Sequence, residues 1–192
     1  MSDSSATVAD PAALGLAGFG VTTVILSLIN AGLLPGDTMT VVLQLALVYG
    51  GGAQLLAGLW EFRNGNTFGG TAFVAFATFW ISFYLLLANA ASMGKDVGLG
   101  IGIYLTMWGV FVLYMFIGSL YTNKAFFLAF LLVLITFILL AISNFSGTSA
   151  VLGGWVGLLA GLIALYTSAA VVINGLAGKV VLPVGTAVIK RS

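Results

Sequence analysis

The chain contains no cysteine and no histidine. Their absence removes disulfides, thiolate nucleophiles, the usual zinc sites and any histidine proton relay. Charge is nearly as scarce, with six basic and five acidic residues among 192. The acids Asp3, Asp10, Asp37, Glu61 and Asp96 are scattered and form no paired-carboxylate site within one segment. This inventory leads us to expect no metal, no cofactor, no nucleic-acid partner and no enzymatic activity.

What the chain does have is apolar length. Hydrophobic residues make up 61% of it, and the mean hydropathy is +1.20. A membrane-crossing helix needs about 20 apolar residues to traverse about 30 Å of hydrocarbon. A charge at the bilayer centre costs at least about 2.5–3.5 kcal/mol on insertion scales. Charge-free stretches predict spans at Leu14–Leu34, Met39–Trp60, Gly69–Ala91, Val97–Leu120, Ala125–Ser143 and Val151–Ile173. The gaps between them are too short for a soluble domain. The expected fold is therefore all-α, a polytopic membrane protein whose residues 1–192 form a single six-helix transmembrane domain.

Met1–Asp10 is polar and carries two acids and no base, unlike the basic start of a secretory signal. The first apolar run is long enough to span and is expected to stay as a helix. With six spans, one side collects Arg63, Lys124, Lys179, Lys190 and Arg191, and the other has only Lys95. Basic loops stay cytoplasmic, so both termini are expected to face the cytoplasm, in a prokaryotic cytoplasmic membrane.

Lipid supplies no hydrophobic drive between helices, so small residues must let backbones approach. Gly94, Gly98 and Gly102 recur at four-residue spacing, as do Gly153, Gly157 and Gly161. Ala46, Gly50, Ala53 and Ala57 form a similar stripe. Such stripes serve either packing within the chain or a homo-oligomer. Gly50, Gly51 and Gly52 lie near the middle of the second span. Glycine costs about 1 kcal/mol against alanine inside a helix. Three in a row point either to very close helix contact or to a weakened helix whose carbonyls face a water-filled path.

Neutral polar groups are spread through the spans. Serine and threonine often bond back to their own helix, which gives most of them a structural role. Gln54 and Asn144 have more donors and acceptors than one helix can satisfy, so they are better candidates for lining a path. There is no acidic ring for cations and no basic row for phosphate. A small polar solute fits this inventory. Trp60 and Trp155 fall at span ends, where interfacial anchors belong. Trp80 and Trp108 fall deeper, as core or as pore wall.

The run Asp10-Pro11-Ala12-Ala13-Leu14-Gly15-Leu16, followed by Gly18-Phe19-Gly20, closely resembles the signature of the acetate uptake family, the succinate–acetate permeases. Further pieces match in order: Tyr49-Gly50-Gly51, Ala53-Gln54-Leu55-Leu56-Ala57-Gly58, Gly65-Asn66-Thr67-Phe68-Gly69, Thr71-Ala72-Phe73 and Phe79-Trp80. Tyr104-Leu105, Trp108-Gly109-Val110-Phe111 and Leu140-Ala141-Ile142 with Asn144 complete the set. The resemblance implies a six-helix protomer in a homohexamer surrounded by membrane lipid. Each protomer would pass acetate, succinate or related short carboxylates, by a channel-like or proton-linked route. It also implies a constriction of phenylalanine, tyrosine and leucine, which by position are Phe19, Phe76 and Val133. Phe76 lacks the hydroxyl and Val133 one methylene of that pattern, so looser discrimination against acids one carbon longer than acetate is expected. Substrate-binding candidates are Leu14, Thr22, Thr23, Tyr49, Gln54, Trp80, Trp108 and Asn144.

Asp10 stands where the family usually has asparagine. Asp10 before Pro11 reads as a helix cap and first helical residue, and capping is its expected role. Glu61 beside Arg63 reads as a structural ion pair. The first rival function is a urea or short-amide channel, which also uses six helices, neutral polar groups and an aromatic constriction; the second is a non-transporting membrane scaffold, in which the polar residues would pair off and leave no continuous path.

Overall fold

A computed structural model describes residues 9–89, 92 and 94–190. Asp3 and Arg191 lie outside the described residues, as does the end of the third expected span at Ala90 and Ala91. Among the described residues every regular element is helical: α1 (Ala12–Asn30), α2 (Met39–Leu47), α3 (Gln54–Arg63), α4 (Thr67–Ala88), α5 (Val97–Ser119), α6 (Lys124–Ser146) and α7 (Val151–Ala177). A short 3₁₀ turn, Gly36–Thr38, leads into α2. A π-helical segment, Val48–Ala53, joins α2 to α3, so that Gly36–Arg63 is one crossing and the described residues contain six.

Helix ends follow local chemistry. Asp10 Oδ1 accepts a hydrogen bond from the Ala12 amide at 2.9 Å, a side-chain cap two residues into the first turn. Asn123 accepts from the Phe126 amide at 2.9 Å and caps α6. α6 and α7 end on Gly147 and Gly178, at φ 65° and 61°, a left-handed conformation that glycine adopts without a Cβ clash. Beyond α7 the chain folds back. The Asn174 side-chain Oδ1 accepts from the Val181 and Leu182 amides at 2.7 and 2.9 Å, and the Val184 backbone carbonyl accepts from the Ala125 amide at 3.0 Å.

The six crossings form a ring. α1 packs on α7 and α3, α3 on α4, α5 on α6, and α6 on α7. α4 and α5 close the ring through side chains. Ser82 Oγ and Tyr104 Oη are 2.7 Å apart, and Phe79 stacks on Tyr104 and meets Trp108 edge-on, with centroids 5.8 and 5.2 Å apart.

The α7 glycine stripe serves packing within the chain. A Cβ on Gly161 would stand 2.8 Å from Val24 Cγ2 and 3.1 Å from the Gly20 carbonyl. On Gly102 it would meet the Phe145 ring at 2.6 Å, whereas Gly94 faces open space. Very close contact accounts for the three-glycine run, and the helix is widened there to a π turn. A Cβ on Gly50 would stand 2.8 Å from the Trp80 ring, and one on Gly51 2.7 Å from Ile81 Cγ1. Larger residues would unseat Trp80.

The second crossing runs past its expected end at Trp60 to Arg63. Glu61 therefore lies inside a helix, only 3% exposed. Its partner is not Arg63, which is exposed. Residues two apart on a helix do not share a face. Asn66 Nδ2 donates to Glu61 Oε2 at 2.8 Å instead.

Candidate functional site

The ring encloses two chambers. The larger, about 250 Å³, lies toward the end of the bundle where α1, α4 and α6 finish. The smaller, about 30 Å³, lies toward the end bearing the chain termini. By volume the smaller one has room for roughly two waters. Three residues belong to both linings: Phe19, Phe76 and Val133. All three are buried. The Phe19 and Phe76 rings are 5.0 Å apart between centroids. Phe111 meets Phe76 edge-on at 5.8 Å and Phe130 lies 6.2 Å from it. Three helices, α1, α4 and α6, thus each contribute one apolar side chain to a neck between the chambers.

Polar atoms flank this neck. Thr23, Trp80 and Asn144 line the larger chamber and Gln54 the smaller. Thr23 Oγ1, Trp80 Nε1 and both amide atoms of Gln54 are buried without a hydrogen-bond partner among the described residues. Gln54 has 0% exposure. A buried amide left unbonded costs on the order of 1–3 kcal/mol, and a group so placed calls for water or a solute. Asn144 spends its Nδ2 donor on the Leu140 carbonyl at 2.8 Å, which leaves its carbonyl oxygen to accept. The wide π turn sits beside the neck. It seats Trp80 on Gly50 and delivers Gln54, the first residue of α3, to the other side.

Four residues expected to bind substrate lie off both chamber linings. Thr22 is fully buried, and its hydroxyl donates to the Gly18 carbonyl at 2.8 Å. Leu14 is 42% exposed on the outside of α1. The Tyr49 carbonyl stands against Gly18, where an added Cβ would lie 2.7 Å from it. Trp108 packs between Phe79 and Phe111 in the α4–α5 seam. In the signature run, Asp10 caps α1, Pro11 and Ala12 form its first turn, and Leu16 lines the smaller chamber. Gly15 lets the Phe73 ring approach, to 2.7 Å from an added Cβ.

Sequence reasoning gave no role to Phe79, Tyr104 and Phe137, which wall the larger chamber. Phe79 and Tyr104 were present as motif pieces, but a motif does not state which way a side chain faces. Ser27 and Thr136 also reach that chamber. Their tendency to bond back to the helix, which Thr136 does at 2.8 Å, hid the second role.

Six apolar helices enclosing two chambers joined at an aromatic neck define an integral membrane channel or carrier for a small solute. The chain belongs to the GPR1/FUN34/yaaH family, whose model matches residues 2–186. It is 40% identical over 182 residues to the succinate-acetate/proton symporter SatP of Escherichia coli (strain K12), covering 93% of this chain and 96% of that one. It is 35% identical over 195 residues to acetate permease A of Emericella nidulans, covering 92% of this chain and 65% of that one. The solved structure of the bacterial acetate channel SatP superposes with a TM-score of 0.87 at 40% identity, covering 93% of this chain and all of that one. By name these relatives are transporters or channels.

Proposed function

We propose that this protein passes acetate and related short carboxylic acids across the membrane, through a path in each protomer, and that Phe19, Phe76 and Val133 form its narrowest point. One observation carries the reading: these three apolar side chains are shared by two chambers whose remaining walls hold unpartnered polar atoms. A carboxylate cannot enter such a neck cheaply, because an isolated buried charge loses far more solvation than a neutral group. The acid therefore crosses protonated. Trp80, Thr23 and Asn144 receive it on one side and Gln54 on the other. An acid that carries its own proton is at once a channel substrate and, in net terms, a proton symport. That accounts for relatives bearing both kinds of name.

The assembly we infer is a homohexamer, supported by the family resemblance. The end bearing Arg63, Lys124, Lys179 and Lys190 faces the cytoplasm, since basic loops are retained there. The larger chamber then opens outward.

Purified protein in liposomes is expected to pass labelled acetate and to exclude labelled urea. Urea flux without acetate flux would establish the amide-channel alternative. In the same vesicles propionate and lactate are expected to compete with acetate, and Val133→Leu is expected to weaken their competition selectively by narrowing the neck. An unchanged ranking in that variant would remove Val133 from the neck.

A further inference from the structure

Glu61 is an acidic side chain buried within a membrane-crossing helix, 3% exposed. Intramembrane acids are expensive and are retained for function or for pairing. Asn66 Nδ2 engages its Oε2 at 2.8 Å, while Asn66 Oδ1 accepts from the Gly69 amide at 3.0 Å and so caps α4. Gly69 lines the smaller chamber. A Cβ at Gly69 would stand 2.8 Å from Glu61 Cδ and 3.0 Å from Oε2. The missing side chain therefore leaves the carboxyl one atomic layer from the path, on the terminus side of the neck.

A purely structural clamp does not need an acid here. Glutamine at 61 would accept the same Asn66 hydrogen bond without a buried charge, which costs several kcal/mol even when partly compensated. What an acid adds is the ability to take up and release a proton. We propose that Glu61, held by Asn66, takes the proton from the carboxylic acid as it leaves the neck into the smaller chamber, and returns it for passage in the opposite direction. The inference rests on the acid-transport reading above.

The step balances. The acid's O–H bond breaks and an O–H bond forms on Glu61 through a bridging chamber water, leaving the free carboxylate and a neutral Glu61. The carboxylate departs into the water on the terminus side. Glu61 then gives its proton to the same water, so one proton accompanies each acid.

The charged group whose field reaches Glu61 is Asp10, ahead of α1. α4 carries Tyr84 as its titratable side chain, near the opposite end, the π segment carries Tyr49, and α1 carries none. Arg63, on α3 itself, is exposed.

The test is acetate flux in vesicles of known orientation, with pH varied on the terminus side and held constant on the other. Wild type is expected to respond to terminus-side pH. Glu61→Gln is expected to lower flux by about a hundredfold or more, the usual range for a lost proton-transfer group, and to flatten that response. Glu61→Asp is expected to restore its slope. A wild-type rate and slope in Glu61→Gln would overturn the assignment. If Glu61→Gln does not fold, a hydrophobic carbodiimide applied to the wild-type chain decides. Modification of Glu61 that rises as pH falls and is suppressed by acetate supports the proposal; a Glu61 that stays unmodified, or reacts regardless of acetate, refutes it. Absence of acetate flux in wild type would instead defeat the transport reading itself.

Discussion

Gln54→Leu is expected to lower acetate flux by about ten- to hundredfold while leaving the protein at least as stable as wild type. The side chain has 0% exposure and both amide atoms lack partners. A buried amide with no protein partner carries a desolvation penalty on the order of 1–3 kcal/mol, which leucine of similar volume would remove. The acid emerging from the neck loses its only amide contact in the smaller chamber. A neutral carboxylic acid can make two hydrogen bonds to that amide, each contributing about 0.5–1.5 kcal/mol, and each 1.36 kcal/mol in a barrier is about tenfold in rate. Flux and thermal unfolding in detergent, measured on one preparation, separate the two roles. A structural glutamine would lose stability and flux together. An unaffected flux would take Gln54 off the path.

Phe19→Ala is expected to join the chambers and abolish selectivity. The Phe19 ring lies 5.0 Å from Phe76 and separates about 250 Å³ on one side from about 30 Å³ on the other. With the ring gone, water fills the neck and the dry barrier to a carboxylate disappears. Acetate flux should rise, urea and lactate should pass, and the membrane should leak anions down the electrical potential. The loss of a buried phenylalanine costs about 3–5 kcal/mol, so folded protein must be verified. Val133→Phe pushes the other way. It fills the neck at an overpacking cost of about 1–3 kcal/mol and is expected to stop flux with the fold intact. If flux persists in Val133→Phe and selectivity survives in Phe19→Ala, the neck lies elsewhere.

The crossings were legible because hydrocarbon thickness sets a length, and runs such as Val97–Leu120 meet it with no charge. Which face of each helix turns inward was not. In lipid both faces of a helix are apolar, so the periodicity that marks a core in water is nearly absent. Leu14, Thr22, Tyr49 and Trp108 were therefore placed on the path, although Leu14 is exposed on the outside of α1, the Thr22 hydroxyl bonds its own helix, Trp108 packs in the α4–α5 seam and Tyr49 lies off both chamber linings. Gln54 and Asn144, singled out because an amide's hydrogen-bond capacity is a property of the residue and not of its direction, both line the chambers. Phe19, Phe76 and Val133 came from the resemblance alone. Physical reasoning gave no cause to prefer them over other apolar side chains. Glu61 was misread for a simple reason: charge was taken to end a span, whereas α3 carries it one turn further and buries it against the start of α4. The π turn was half legible, since three glycines announced a weakened or crowded helix without saying that it would be crowded and widened to a π turn.

Acetate flux into liposomes, with the pH gradient and the membrane potential set independently, bears most directly on passage of a neutral acid through an apolar neck. Flux is expected to follow the concentration of undissociated acid and its pH gradient, and to be indifferent to potential when pH is equal on both sides. Flux that tracks membrane potential at zero pH gradient would mean that the anion itself crosses between Phe19, Phe76 and Val133, contrary to the mechanism proposed.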